Sequence, residues 1–164
     1  FLFDDFPTEV SCLGSCKLDL QNEDTSYTTF KYKGGILAHA HASWLNPRKV
    51  RQITVIGSKK MALWDDLNLD NPITIYDSSI GLEQSYYSDS FASHRLSYNR
   101  GDVLMPSITP NEPLLDEIRH FVNVVLGNEE NRSSGTYGTE VVRTLKASDQ
   151  SLMEGGKFVS IKRT

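Results

Sequence analysis

Polar and apolar residues alternate along the first two-thirds of the chain, then give way to a helical spacing. Residues 10–20 read as a strand, and Asn22-Glu23-Asp24 as a turn. From 27 to 33 the alternation is clear: Thr28, Phe30 and Tyr32 share one face, and Thr29, Lys31 and Lys33 the other. Gly34-Gly35 marks a tight turn. The next strand places Ile36, Ala38, Ala40, Ala42 and Trp44 on an apolar face, which should lie under helices. Leu37, His39, His41 and Ser43 form its opposite face. Asn46-Pro47 and Gly57-Ser58 bound a β-branched strand over 50–56 and its return over 60–64. Asn71-Pro72 precedes a strand over 73–76. Residues 78–98 are rich in Ser and Tyr without a period, which predicts a long excursion. A short strand is expected over 102–105.

Helical spacing begins after Asn111, a good N-cap, with Pro113 in the first turn, where its missing N–H costs nothing. Leu114, Leu115, Ile118, Phe121, Val122, Val125 and Leu126 form one stripe, and Gly127 is the stop. A second helix is predicted over 138–154, burying Val141, Val142, Leu145, Ser148, Leu152 and Met153 before Gly155-Gly156. A last strand is expected over 157–162. Strands followed by two amphipathic helices predict an α+β fold, an open-faced, largely antiparallel sheet with helices packed on one face. The uncovered face would carry Leu37, His39, His41 and Ser43. A sheet face left open with mixed chemistry is a candidate interface for a second copy of the chain.

Composition narrows the class. The 164 residues fit one domain on length, and 38% hydrophobic with 23% charged residues fits a soluble globular protein. A net charge of −4 argues against a nucleic-acid partner. No apolar run approaches the roughly 18 residues of a membrane span. The start, Phe1-Leu2-Phe3-Asp4-Asp5-Phe6, lacks the basic region of a signal peptide and an initiator Met, so a processed chain or a fragment is expected. Cys12 and Cys16, if on one strand, lie roughly 13 Å apart, too far for a disulfide. Two reduced, half-buried thiols suit a cytoplasmic location. Asn131-Arg132-Ser133 matches the glycosylation sequon, a tripeptide that arises often by chance.

Candidate chemistry is sparse. There is no Gly-x-Gly-x-x-Gly, P-loop, Gly-x-Ser-x-Gly, His-Glu-x-x-His or Cys-x-x-Cys. The sequence therefore offers no pyrophosphate cradle, no cofactor-binding residue and no catalytic residue. His39 and His41 share a strand face, but no acid or thiol aligns with them to complete a metal site, so none is assigned. Arg48, Lys49 and Arg51 follow the turn beside Trp44. An Arg can fork onto phosphate or carboxylate and a Trp can stack on a ring, so Trp44, Asn46 and Arg48 are candidates for a substrate-binding wall. The plain alternative is a solvated strand end. Asp65-Asp66 reads as turn capping, because neighbours point to opposite strand faces. His94 and Arg95 fall in the excursion, and His120 lies on a helix flank beside Phe121.

Three segments together resemble the C-terminal domain of the Gfo/Idh/MocA oxidoreductases. The first is Ser43-Trp44-Leu45-Asn46-Pro47 through Arg51, with Thr54-Val55-Ile56-Gly57 and Met61 to Asp66. The second is Pro113-Leu114 with Glu117, His120 and Phe121, ending at Gly127. The third runs from Gly138 through Val141-Val142 to Ser151-Leu152, Gly155-Gly156 and 159–161. The resemblance implies an upstream Rossmann domain holding NAD or NADP, with this chain, 1–164, as the substrate-binding and oligomerisation domain. It also implies oxidation or reduction of a sugar or nucleotide-sugar. The family's catalytic Lys motif and His motif do not occur here, so no catalytic residue carries over and the chain should be inactive alone. The expected partners are that substrate and further copies of the chain. A non-enzymatic sheet module for assembly or ligand binding is the alternative.

Overall fold

The structure is a computed structural model that describes residues 2–18, 21–82, 96–109 and 111–163. Two compact units appear: 1–48 with 118–164, and 49–117. In the first unit, β1 (Glu9–Ser15), β2 (Thr25–Lys31), β3 (Leu37–Ser43) and β8 (Val159–Ser160) form a four-stranded sheet in the order β3-β2-β1-β8. All its pairings are antiparallel. In the second, β4 (Gln52–Ile56), β5 (Met61–Asp65), β6 (Ile73–Leu82) and β7 (Leu96–Leu104) form an antiparallel meander in sequence order. Helices α1 (Pro113–Val125) and α2 (Gly135–Met153) complete the described elements. The α+β class expected from the pattern is present.

Register in the first sheet follows the alternation. Val10 pairs with Phe30 and Phe30 with Ala38, while Leu13 pairs with Tyr27 and Tyr27 with His41. A shift of one residue would have exchanged the two faces. Between β2 and β3, Gly34 and Gly35 take φ of 76° and 83°, a left-handed geometry that costs residues with a Cβ but not glycine. The core is small: Val10, Ala147 and Val159 are buried, with Phe30 and Ile161 packed against them.

Several expectations are corrected. One sheet was expected, and two four-stranded sheets are found. The first strand ends at Ser15 rather than 20, because Asp24 accepts hydrogen bonds from the Lys17 and Leu18 N–H groups and turns the chain. The excursion over 78–98 is instead flanked by the paired limbs of a hairpin, with β6 running to Leu82 and β7 starting at Leu96. A weakly patterned strand can still pair, since ladder bonds come from backbone. The rest of the expected excursion, 83–95 with His94 and Arg95, lies outside the described residues. Register in this hairpin shifts between Tyr76 and Ser78, and a Cβ on Gly101 would lie 1.8 Å from the Asp77 carbonyl oxygen. Only glycine fits so close an approach.

The helices depart most from the pattern. α2 lies on the β1 and β8 side of the first sheet and buries Ser148 as expected, but with Glu140, Ala147 and Ser151 rather than with the apolar members of the expected stripe. Val141, Val142 and Leu145 are exposed, and Met153 is 87% exposed. Small side chains let the helix approach the sheet closely, and polar ones among them bond backbone. Ser151 Oγ accepts from Cys12 N–H at 2.8 Å and donates to the Lys157 carbonyl at 2.6 Å. α2 also starts three residues earlier than predicted, capped by Ser134, which accepts from Tyr137 N–H. α1 begins at Pro113 and stops at Gly127, where φ is 77°, as the pattern predicted, yet none of its residues is buried. The expected two-helix layer is therefore α2 alone. The final strand shrinks to two residues.

Candidate interface and substrate-facing turn

The face of the first sheet opposite α2 is built by parity. Glu9, Ser11 and Leu13 from β1 lie beside Lys31, Thr29 and Tyr27 from β2, and these lie beside Leu37, His39 and His41 from β3. Leu37 is 65% exposed, and His39 and His41 are also exposed. The Tyr27 ring stacks on His41 with centroids 4.5 Å apart and planes 7° apart, and lies 6.3 Å from His39 at 25°. Three flat rings thus run across the middle of the open face. At one end Lys31 pairs with Glu9 at 3.2 Å, its Nζ 3.6 Å from the Phe158 ring centroid. Ser43, at the other end, is only half-buried, with its Oγ 2.9 Å from Thr25 Oγ1.

The turn after β3 is fixed from below. Asp24 is 1% exposed. Its carboxylate caps the chain at Lys17 and Leu18, and its carbonyl accepts Trp44 N–H at 2.8 Å. Ser43 Oγ accepts Leu45 N–H, and Asn46 Oδ1 accepts Arg48 N–H, both at 3.1 Å. The backbone under Trp44, Asn46 and Arg48 is therefore held by two side-chain caps and one backbone hydrogen bond. Trp44 is 84% exposed, which corrects its expected place under the helices. Its strand is the sheet edge and α2 covers β1 and β8, so Ile36, Ala40 and Ala42 are exposed too, although they share the α2 side.

The remaining candidates resolve plainly. Cys12 is buried, with Sγ 3.1 Å from Thr28 Oγ1, and Cys16 is exposed. Asp65 caps the next turn through Leu67 N–H at 3.0 Å, as the adjacent-carboxylate reading expected, whereas Asp66 pairs with Arg51. His120 does more than flank a helix. Its Nδ1 lies 2.7 Å from Glu129 Oε2, and its Nε2 faces Arg132 N–H at 3.4 Å, so Nε2 accepts and Nδ1 donates. The His120 bond, then the Asn123 bond, hold the Glu129 carboxyl below its usual range. No group of three or more metal-ligating side chains occurs among the described residues.

Sequence reasoning missed Tyr27, Asp24 and Glu140. Tyr27 continues the alternation of Thr29 and Lys31, which placed it on the open face. Asp24 was read only as a turn residue. Glu140 sits among small residues at the sheet, beside Arg143 and 3.5 Å from Arg163 Nε. Arg163 also donates to the Phe6 carbonyl at 2.7 Å, tying both ends of the described chain to α2. The described residues do not form a dinucleotide cradle: Gly34-Gly35 leads into a strand, and Gly127, Gly155 and Gly156 follow helices rather than open them.

Residues 1–63 match the family model described as the GFO/IDH/MocA C-terminal domain. The fold is shared with UDP-N-acetylglucosamine 3-dehydrogenase GnnA from Acidithiobacillus ferrooxidans, at TM-score 0.69 and 15% identity, covering 92% of this chain and 41% of that one. WlbA dehydrogenase from Bordetella pertussis, in complex with NADH and UDP-GlcNAcA, gives 0.62 and 15%, covering 97% and 40%. Aldose-aldose oxidoreductase from Caulobacter crescentus, complexed with glycerol, gives 0.67 and 15%, covering 97% and 42%. The chain thus spans less than half the length of each. No curated protein matches its sequence.

Proposed function

We propose that this chain is the substrate-facing and self-associating domain of an NAD(P)-dependent oxidoreductase of the cytoplasm, acting on a sugar or nucleotide-sugar. The observation that carries the reading is the braced turn beside an open sheet face. Two side-chain caps and one backbone hydrogen bond fix the backbone while Trp44 stays exposed and free to stack on a ring. Arg48 stands two residues beyond Asn46, where a guanidinium can fork onto a phosphate or carboxylate. Leu37, His39, His41 and Ser43 belong to the surface that meets a second copy. NAD(P) would be held by a separate domain, since these residues offer it no cradle. In the protein that carries both domains, Arg48→Ala should raise KM for a nucleotide-linked sugar about ten-fold while leaving the cofactor Kd unchanged. Unchanged kinetics would return Trp44, Asn46 and Arg48 to a solvated turn. Micromolar binding of NAD to this chain alone, measured by calorimetry, would overturn the division of labour. It would also favour a self-sufficient ligand-binding module.

A further inference from the structure

We propose that the free edge of β8 and the flank of α2 beside it form a docking groove for an extended acidic segment of a partner protein, which adds to the first sheet as a further strand. β8 is the last strand of its sheet, and among the described residues nothing pairs beyond it. Val159 lies opposite Val10, and Ile161 N–H donates to the Thr8 carbonyl at 2.8 Å. Backbone groups alternate in direction along a strand, so Phe158, Ser160 and Lys162 turn theirs to the free edge. No backbone partner meets them there among the described residues. A strand edge in this state is a template for further pairing.

Beside that edge runs a groove of about 490 Å³. Its far wall is one stripe of α2, with Arg143, Lys146, Gln150 and Glu154. From Arg143 to Glu154 the helix rises roughly 16 Å, the length of about five extended residues. Pairing to backbone along a sheet edge is a recurring way to hold an extended peptide, with the ladder giving affinity and the side chains giving choice. Charge sets the choice here. Glu154 is held by Gln150 Nε2 at 2.8 Å, and Arg143 pairs with Glu140. Lys146 on α2 and Lys162 beyond β8 line the two walls, both exposed and neither paired with an acid among the described residues. Acids on an arriving strand supply what both lysines lack, whereas a basic segment meets like charge from either wall. The chain as a whole carries a net charge of −4, so the attraction is confined to this edge. A lysine at a sheet edge also serves in other proteins to discourage pairing. The two roles predict opposite effects when it is removed.

Fluorescence anisotropy of the chain with short labelled peptides tests this. A peptide alternating Glu with Val should bind about ten-fold tighter, or more, than its Lys–Val counterpart, and added salt should weaken it. Methylating one alternate set of its amide nitrogens should cost about ten-fold and the other set little, because only one set faces β8. The double variant Lys146→Glu, Lys162→Glu changes two exposed positions and should lose the preference for acid, with circular dichroism confirming the fold. Should that variant fail to fold, the wild-type amide shifts decide: those of Phe158, Ser160 and Lys162 should move as the acidic peptide is added. No binding, binding that ignores charge or the methylated set, or shifts confined to other residues each overturn the groove. If Lys162→Ser makes the chain self-associate while the wild type binds no acidic peptide, the lysine guards the edge and the groove is overturned as well. None of these outcomes touches the oxidoreductase reading, which stands or falls on the kinetics of the two-domain protein.

Discussion

The two faces of the first sheet have the same backbone and opposite chemistry. On the α2 face, Val10 is fully buried, Cys12 is 3% exposed and Ser151 is fully buried, their polar atoms bonded across the helix–sheet seam. On the other, Leu37, Tyr27 and both histidines meet solvent, and only the Glu9–Lys31 pair and the ring stack organise them. One face has residues whose loss the chain cannot compensate. The other has residues that meet solvent. Stability and association should therefore respond to different substitutions.

The largest effect expected is on the covered face. Val10→Ala removes buried methyl groups and leaves a void, which should lower stability by about 2 kcal/mol in urea unfolding. Leu37→Ser on the open face should change the monomer by less than about 0.5 kcal/mol. Equal losses would mean that the open face is not open in solution.

Ser151→Ala comes next. It leaves the Cys12 N–H and the Lys157 carbonyl without their partner inside the seam, a cost of about 1–3 kcal/mol. Ser151→Thr keeps a hydroxyl but adds a methyl where none fits. It should recover little, which separates lost bonding from lost space.

Ala40 sharpens the comparison at the sheet edge. On alternation alone, Ala40→Leu should overpack against a helix at about 1–3 kcal/mol. Ala40 lies on the α2 side but is exposed, so the change should stay within about 0.5 kcal/mol. A large loss in thermal unfolding would show that a layer covers β3.

The smallest effect concerns Glu129, outside the sheet. Its folded-state pKa is lowered by the His120 and Asn123 bonds. A depressed carboxylate contributes stability above the unfolded carboxyl range and loses it as pH falls through the folded value. Its side-chain carbon shift should therefore titrate below an ordinary glutamate, and Asn123→Ala should move the midpoint back up. A midpoint already ordinary in the wild type would remove this bond set from solution.

Alternation in the sequence placed the first sheet's residues on their faces, because side chains on a strand have a period of two whatever lies above them. It gave the α+β class, the Gly34-Gly35 turn, the Gly127 stop and the capping role of Asp65. Three segments also carried the family resemblance, and the family-model match over 1–63 reaches the first of them. The sequence could not decide which face of α2 would be buried. Hydrophobicity pointed to Val141, Val142 and Leu145. The fold chose Ala147 and Ser151 beside the expected Ser148, because a helix packed close on a sheet needs small side chains and partners for backbone groups it covers. Nor could it show that α2 stops short of β3, which leaves Ala40 and Trp44 uncovered. The ring stack required the pairing of Tyr27 with His41, two residues 14 positions apart that only the sheet register brings together.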